Sequence, residues 1–267
     1  MTGLRDIEAS LRPTQVQIDQ IQRCRTSIEN LLRNDLRNDL SFYYAGSYAK
    51  KTVINTHLDL DLVVRFPSYI TDSTQQCYES VHESLRRNGW NPRRKNAAIQ
   101  ISQNNLPGNS ILAHADVVPE KQINNSEYCY LWLNREGRML QTSVQTHVNA
   151  ISNSGMHDLI RLLKFWKLKQ NLEYPSFILE QCILRWVDDE PSNAASDIIT
   201  RLQSHIDYIG RRIETIKLVD PANPSSNILT DPSNFTPSEK QAVAETARNT
   251  YQYAYNQDWE RFFRTRF

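Results

Sequence analysis

Asp59 and Asp61 stand two positions apart in Leu58-Asp59-Leu60-Asp61-Leu62-Val63-Val64, an apolar run broken only by these two acids. Read as a strand from Leu58 to Phe66, the run sends both carboxylates to one face and Leu58, Leu60 and Leu62 to the other, because strand side chains alternate. Two like charges side by side are unfavourable unless a cation neutralises them, and hard divalent ions such as Mg2+ take oxygen ligands of this kind. A third carboxylate on a neighbouring strand would let the group hold two ions. Asp116, which interrupts the apolar run Ile111-Leu112-Ala113-His114-Ala115-Asp116-Val117-Val118, is the candidate. Upstream, Gly46 would let the backbone approach a phosphate closely, and Ser47 with the amides of the following turn would bind phosphate oxygens. Asp59, Asp61 and Asp116 around two Mg2+ or Mn2+ ions suit two-metal chemistry: one ion lowers the pKa of an attacking hydroxyl, and the other stabilises a leaving pyrophosphate. The combination calls for nucleotidyl transfer from a nucleoside triphosphate.

The elements that must hold these residues follow from hydrophobic period and turn chemistry. Apolar residues Val16, Ile18, Ile21, Cys24, Ile28, Leu31 and Leu32 recur at mostly helical spacing, so Pro13 to Leu36 is expected to be one long amphipathic helix with Thr14 near its start. Ser41 to Ala45 is a short aromatic strand, Ser47 to Lys51 a helical turn, and Thr71 to Asn88 a helix stopped by Gly89. Ala97 to Ser102 and Ser110 to Val118 are strands separated by the turn-rich stretch 104–109. Tyr128 to Leu133 and Met139 to Thr142 flank Asn134-Arg135-Glu136-Gly137 as a hairpin. After about residue 145 the pattern turns helical: Asp158 to Gln170, Ser176 to Val187, Ala194 to Ile213 and Pro237 to Phe263. The Pro-, Asn- and Ser-rich stretch from Asp220 to Pro232 is expected to cross the surface without forming an element. Strands followed by helices give an α+β class, with a sheet-bearing lobe over 1–145 and a helical lobe over 146–267.

Composition sets the bounds. With 267 residues, 39% hydrophobic and 23% charged, the chain can bury a sizeable core, and a formal charge of +1 lacks the basic surplus that a long nucleic-acid partner draws. Cys24, Cys77, Cys129 and Cys182 stand singly, without a CxxC or Cys/His cluster, so free thiols filling apolar space are expected rather than zinc. No apolar run has the length of a membrane span, and the N-terminus lacks a signal-type apolar core, so a cytosolic chain is expected. His57 and His114 lie beside the aspartates but are read as loop and strand residues, because Mg2+ selects oxygen. Lys50, Lys51 and the basic run Arg93-Arg94-Lys95 are read as solvated.

Gly46-Ser47, eleven residues, Asp59-Leu60-Asp61 with apolar flanks and a distant Asp116 resemble the signature of the DNA polymerase β-like nucleotidyltransferase superfamily. Leu159 to Lys167, then Pro175-Ser176-Phe177-Ile178-Leu179-Glu180, and the Asp220-Pro221-Ala222-Asn223-Pro224-Ser225-Ser226-Asn227 stretch are similar to segments of the cGAS/DncV-like nucleotidyltransferases, the bacterial cyclic-oligonucleotide synthases. The resemblance implies a polymerase β-like core with a mixed sheet, a C-terminal helical lobe like that of oligoadenylate synthase, and an active site in the cleft between them. It places Lys164 and Ser176 on the donor triphosphate and Phe177 against a base. A Lys that snorkels at the surface would look the same in isolation, and only the adjoining Ser176-Phe177 match lifts Lys164 above that. Two positions depart from the family pattern, Lys51 where relatives commonly have Gly and Leu58 where many have Ser.

The implied function is a metal-dependent cyclic-oligonucleotide synthase. It would be a monomer acting on ATP and another NTP, with no long nucleic acid and no membrane as partner, whose product goes to a downstream effector in bacterial antiphage defence. The alternative with the same Gly-Ser and DxD core is a template-independent RNA nucleotidyltransferase of the tRNA 3′-end type, against which the near-neutral charge stands. A third alternative, a nucleotide-binding protein with a decayed site, is opposed by the intact acid triad.

Overall fold

The computed structural model describes residues 3–106, 110–228 and 235–264. The chain forms two compact units, Pro13–Val148 and Met1–Arg12 together with Asn149–Phe267. A short first helix, α1 (Leu4–Ser10), which the periodicity did not announce, counts with the second unit.

The first unit carries the sheet. Helix α2 (Gln15–Asp35) begins at a capping box: the Thr14 hydroxyl accepts the Gln17 amide and the Gln17 side-chain oxygen accepts the Thr14 amide, satisfying two donors of the first turn. Its Ile21, Cys24, Ile28 and Leu32 recur every three or four residues and are all buried. Then follow β1 (Ser41–Tyr44), the one-turn α3 (Gly46–Ala49), β2 (Asp59–Phe66), α4 (Thr74–Arg87), β3 (Arg93–Arg94), β4 (Ile99–Ser102) and β5 (His114–Gln122). Strands β6 (Cys129–Leu133) and β7 (Arg138–Thr142) form the expected hairpin, and α5 (Val144–Ser154) follows it.

The sheet runs β1-β2-β5-β4-β3, with β6 paired to β5 and β7 to β6. Every neighbouring pair is antiparallel except β2 and β5, which are parallel, so the sheet is mixed as expected. A parallel pair needs a crossover, and the segment containing α4 and the β3–β4 hairpin supplies it. Leu60, Leu62 and Val64 of β2, with Ala115 and Val117 of β5, pack in one cluster with Ile28 and Leu32 of α2 and Tyr78 and Val81 of α4. Alternation therefore holds: the apolar set of β2 enters the core and leaves Asp59 and Asp61, both half-buried, on the opposite face.

Some boundaries move for identifiable reasons. Strand β5 begins at His114, not Ser110, because the Ile111 amide is taken by the Gln20 side chain of α2 and so stays out of the ladder. Helix α4 begins at Thr74, where Ser73 and Gln76 form a second capping box. Of the turn-rich stretch, Gln103–Asn105 is a turn of 3-10 helix and 107–109 lie outside the described residues.

The second unit is mainly helical: α6 (His157–Lys169), α7 (Ser176–Asp189), α8 (Pro191–Ala194), α9 (Ile198–Arg212), α10 (Pro237–Tyr255) and α11 (Trp259–Phe262) accompany α1. The expected helix from Ala194 is broken, because Asp197 caps α9 by accepting the Ile199 and Thr200 amides. The helix expected to run to Phe263 ends at Tyr255, and Gln257 turns the chain at φ +56°. The stretch read as having no element holds a two-stranded hairpin, β8 (Val219–Asp220) with β9 (Asn223–Asn227). The Asp220 carboxylate accepts the Ala222 amide inside the turn and so supplies a local alternative to a longer connection. Residues 229–232 of that stretch lie outside the described residues. Trp166, Trp186, Phe235 and Phe262 are fully buried in this unit.

All four cysteines are free and buried, as expected. Among the described residues no helix is long and apolar enough to cross a membrane.

Candidate active site

The parallel register of β2 and β5 sets Asp61 directly opposite Asp116 and Asp59 opposite His114. Residues paired in register share a face, so all three carboxylates rise from one side of the sheet. Asp116 is half-buried in the run that the sequence marked, and its carboxylate divides its contacts. Oδ2 accepts from the Lys95 ammonium at 3.0 Å and lies 3.7 Å from His114 Nε2. Oδ1 is buried with no hydrogen-bond partner.

The Gly46-Ser47 turn sits over the β2 acids. The Ala45 amide donates to the Asp61 carbonyl at 2.9 Å, which ties the start of α3 to β2. A Cβ on Gly46 would lie 1.6 Å from Asp61 Oδ2, and Gly46 has φ +54°. Glycine is thus required for two reasons, a left-handed backbone and the space that the Asp61 carboxylate fills. The sequence had assigned it a different reason, approach to a phosphate. Ser47 Oγ donates to Asp59 Oδ1 at 3.4 Å.

The donor set suits a hard divalent cation: oxygen atoms only, three carboxylates on one face, and one buried carboxylate oxygen left without a partner. As arranged, no three His, Cys, Asp or Glu groups among the described residues are gathered tightly enough to enclose an ion. The Asp61 carboxylate lies against Gly46, and that of Asp116 is drawn towards Lys95.

Lys95 is the residue of this site that the sequence did not single out. It was read as the end of a solvated basic run. Arg93 and Arg94 are exposed, and Arg94 pairs with Glu79, but Lys95 turns to Asp116. Lys50, also read as solvated, is only 8% exposed. Further along the acid face, Arg65 and the fully buried Glu120 form an ion pair in register, and the Cys129 thiol donates to Glu120 Oε2 at 2.8 Å. Burial, reinforced by the Glu120 charge, pushes that thiol's pKa well up and keeps the proton on sulfur.

In the helical unit, Lys164 lies on α6 and Ser176 and Phe177 open α7. Lys164 is 8% exposed and its ammonium is 3.2 Å from Glu180 Oε1, itself buried. Ser176 and Phe177 are half-buried. Burial, then the Lys164 charge, lowers the Lys167 amine below its ordinary value. The carboxylates with Gly46 and Ser47 thus belong to one unit, and Lys164, Ser176 and Phe177 to the other.

No protein-family model and no curated protein matches the sequence. Solved structures do match over nearly the whole chain. The Escherichia coli MS115-1 CdnC:HORMA-deltaN complex is similar at TM-score 0.73 and 18% identity, over 97% of this chain and 95% of that one. The Elizabethkingia meningoseptica CdnE cyclic dinucleotide synthase with GTP and Apcpp is similar at TM-score 0.69 and 18% identity, over 95% and 98%. A mutant of the Cid1 poly(U) polymerase bound to MgATP is similar at TM-score 0.68 and 9% identity, over 98% of each chain. The mixed sheet with its acid-bearing parallel pair, followed by helices, is accordingly the polymerase β-like nucleotidyltransferase fold.

Proposed function

We propose that the chain is a metal-dependent nucleotidyltransferase that joins nucleoside triphosphates into a cyclic di- or oligonucleotide. The observation that carries this is the register of the parallel β2–β5 pair, which sets Asp61 against Asp116 with Asp59 on the same face. A ribose hydroxyl of one nucleotide attacks the α-phosphorus of another, the new P–O bond forms as the bond to the β-phosphate breaks, and pyrophosphate leaves. A second such attack within the product closes the ring. Asp59, Asp61 and Asp116 would hold Mg2+ or Mn2+, two ions in the full site, which would supply hydroxyl activation and charge compensation for the leaving group.

The chain's own groups have the remaining roles. Gly46 fixes where the Asp61 carboxylate lies, and the long Ser47 bond to Asp59 is one that a phosphate oxygen can replace. Ser176 opens the 14-residue helix α7, where the N-terminal end of the helix dipole favours phosphate, and the Phe177 ring offers a stacking surface for a base. Lys164 would supply positive charge to the triphosphate, shared with Glu180. Bound GTP and Apcpp in the CdnE structure and MgATP in the Cid1 structure support NTPs as the substrate class. The proposed biological setting is a monomer in the cytoplasm, making a second messenger for an effector in antiphage defence.

The test is product formation from labelled NTPs with Mg2+ or Mn2+. Asp59→Asn and Asp61→Asn should each lower it by at least about a hundredfold, since each removes a carboxylate that would hold the divalent cation at the reacting phosphate. Full activity in either variant would sink the assignment. Cid1 has the same fold, so labelled RNA belongs in the same experiment. Small phosphatase-resistant products identify a cyclase, and extension of the RNA 3′ end identifies a terminal transferase instead.

A further inference from the structure

The turn that carries Lys95 is fastened more firmly than a solvated basic run requires. The Tyr78 hydroxyl, on a side chain with no exposure, bonds both the Lys95 carbonyl at 3.1 Å and the Ala98 carbonyl at 3.0 Å. The Lys95 amide donates to the Ala98 carbonyl at 2.9 Å. Asn96 ties the same turn to the β6–β7 hairpin: its carbonyl accepts the Asn134 amide, its side-chain oxygen accepts the Arg135 amide, and its amide group donates to Glu136. The backbone under Lys95 is therefore held from two sides. Its side chain runs from that fixed point to Asp116 Oδ2 at 3.0 Å, leaving Asp116 Oδ1 buried and without a partner.

We propose that Lys95 is a built-in counterion and positioning residue for the acid face. Its ammonium neutralises part of the charge of Asp116 and holds the Asp116 carboxylate with Oδ1 turned away from it. A divalent cation must then compete with this ammonium for the same carboxylate, so Lys95 sets how much cation the site needs. This rests on the acid face being the cation site proposed above.

The test is Mn2+ binding to the full chain, followed by the loss of the free-ion electron paramagnetic resonance signal, with no nucleotide present. Removing one positive charge at contact distance should tighten Mn2+ binding by about five- to tenfold in Lys95→Met and Lys95→Gln, while Lys95→Arg stays within about twofold of wild type. In an Asp116→Asn background, where the carboxylate partner is gone, Lys95→Met should change binding by less than about twofold. Circular dichroism should show all variants folded. Unchanged or weaker Mn2+ binding in both neutral variants, with Asp116→Asn still weakening it, overturns the role of Lys95 and leaves the acid face as the cation site. A wild-type chain that binds no Mn2+ overturns both.

Discussion

Two neighbouring residues on opposite sides of the Ser47–Lys50 segment share a left-handed backbone, and only one of them is glycine. Gly46 at φ +54° has the Asp61 carboxylate where its Cβ would be, whereas Lys51 at φ +56° has its side chain exposed. A non-glycine residue in this region costs about 1–2 kcal/mol. Gly46→Ala should therefore lower stability by at least that amount, and because the methyl must displace the Asp61 carboxylate, it should also abolish product formation. Lys51→Gly should relieve the strain against the larger unfolded-state freedom of glycine and leave stability between unchanged and about 1 kcal/mol higher, with activity retained. Urea midpoints and a labelled-NTP assay on the two variants check the contrast, and an active, fully stable Gly46→Ala would refute it. The family pattern places Gly where this chain has Lys51, so the departure seen in the sequence coincides with a backbone that glycine favours. The strand acids were legible because each breaks an apolar run and the alternation of a strand fixes their face. Lys95 was not legible, since nothing in Arg93-Arg94-Lys95 says which of the three turns inward. The decision is made by contacts present only in the folded chain, from Tyr78 to the turn and from Asn96 within it to the β6–β7 hairpin.

The longer helices with a clear apolar period appear near where the sequence puts them, but α5, at 11 residues with Ile151 its one buried residue, was missed, as were most of the shortest elements. Helices α2, α4, α6, α7 and α9 each bury a stripe over three turns or more. In contrast, β3 and β8 have two residues each, and α8 and α11 have four, too few for either period to register. Amphipathicity also conceals polar cores. On α9, His205 lies on the buried stripe with Leu202, Ile206 and Ile209, its ring edge-on to Trp186 at 5.2 Å, and neither ring nitrogen has a hydrogen-bond partner. Burial lowers its pKa to about 3, partly offset by the Glu190 charge. Folding thus favours the neutral imidazole. The stability this brings is complete above the unfolded value near 6.5 and is lost as pH falls towards 3. The unfolding free energy should decline below pH 6.5 with a contribution of about 1.4 kcal/mol per pH unit from this one proton. His205→Phe, similar in shape and without a titrating group, should remove that part of the slope. Urea titrations of both proteins between pH 4 and 7.5 measure it, and equal slopes would show that His205 does not take up a proton on unfolding.

Across the whole molecule the thiols behave as core side chains, and they sample both units: Cys24, Cys77 and Cys129 in the sheet unit, Cys182 in the helical unit. Burial pushes Cys24, Cys77 and Cys182 up to about 12, with the Asp72 charge adding to the effect at Cys77, and Cys129 is raised as well. Buried Tyr78 is likewise pushed up to about 12. For each of these groups the folded value is above the unfolded one, so the neutral form is the one the fold stabilises. That contribution is fully present below the unfolded thiol value near 8.5 and is lost as pH rises towards the folded value. This sign is opposite to that of His205, and together the two groups give a stability maximum between about pH 7 and 8.5. The urea midpoint should be flat across that interval and fall steadily above it. At pH 8 a thiol-specific reagent should label the native chain no faster than the chain unfolds, because reaction needs a thiolate and access, and the buried sites deny both. One cysteine that labels rapidly in the native protein, or a midpoint that holds to pH 10.5, would contradict this placement of the thiols. The result would also say which unit is at fault, since Cys182 alone of the four lies in the helical unit.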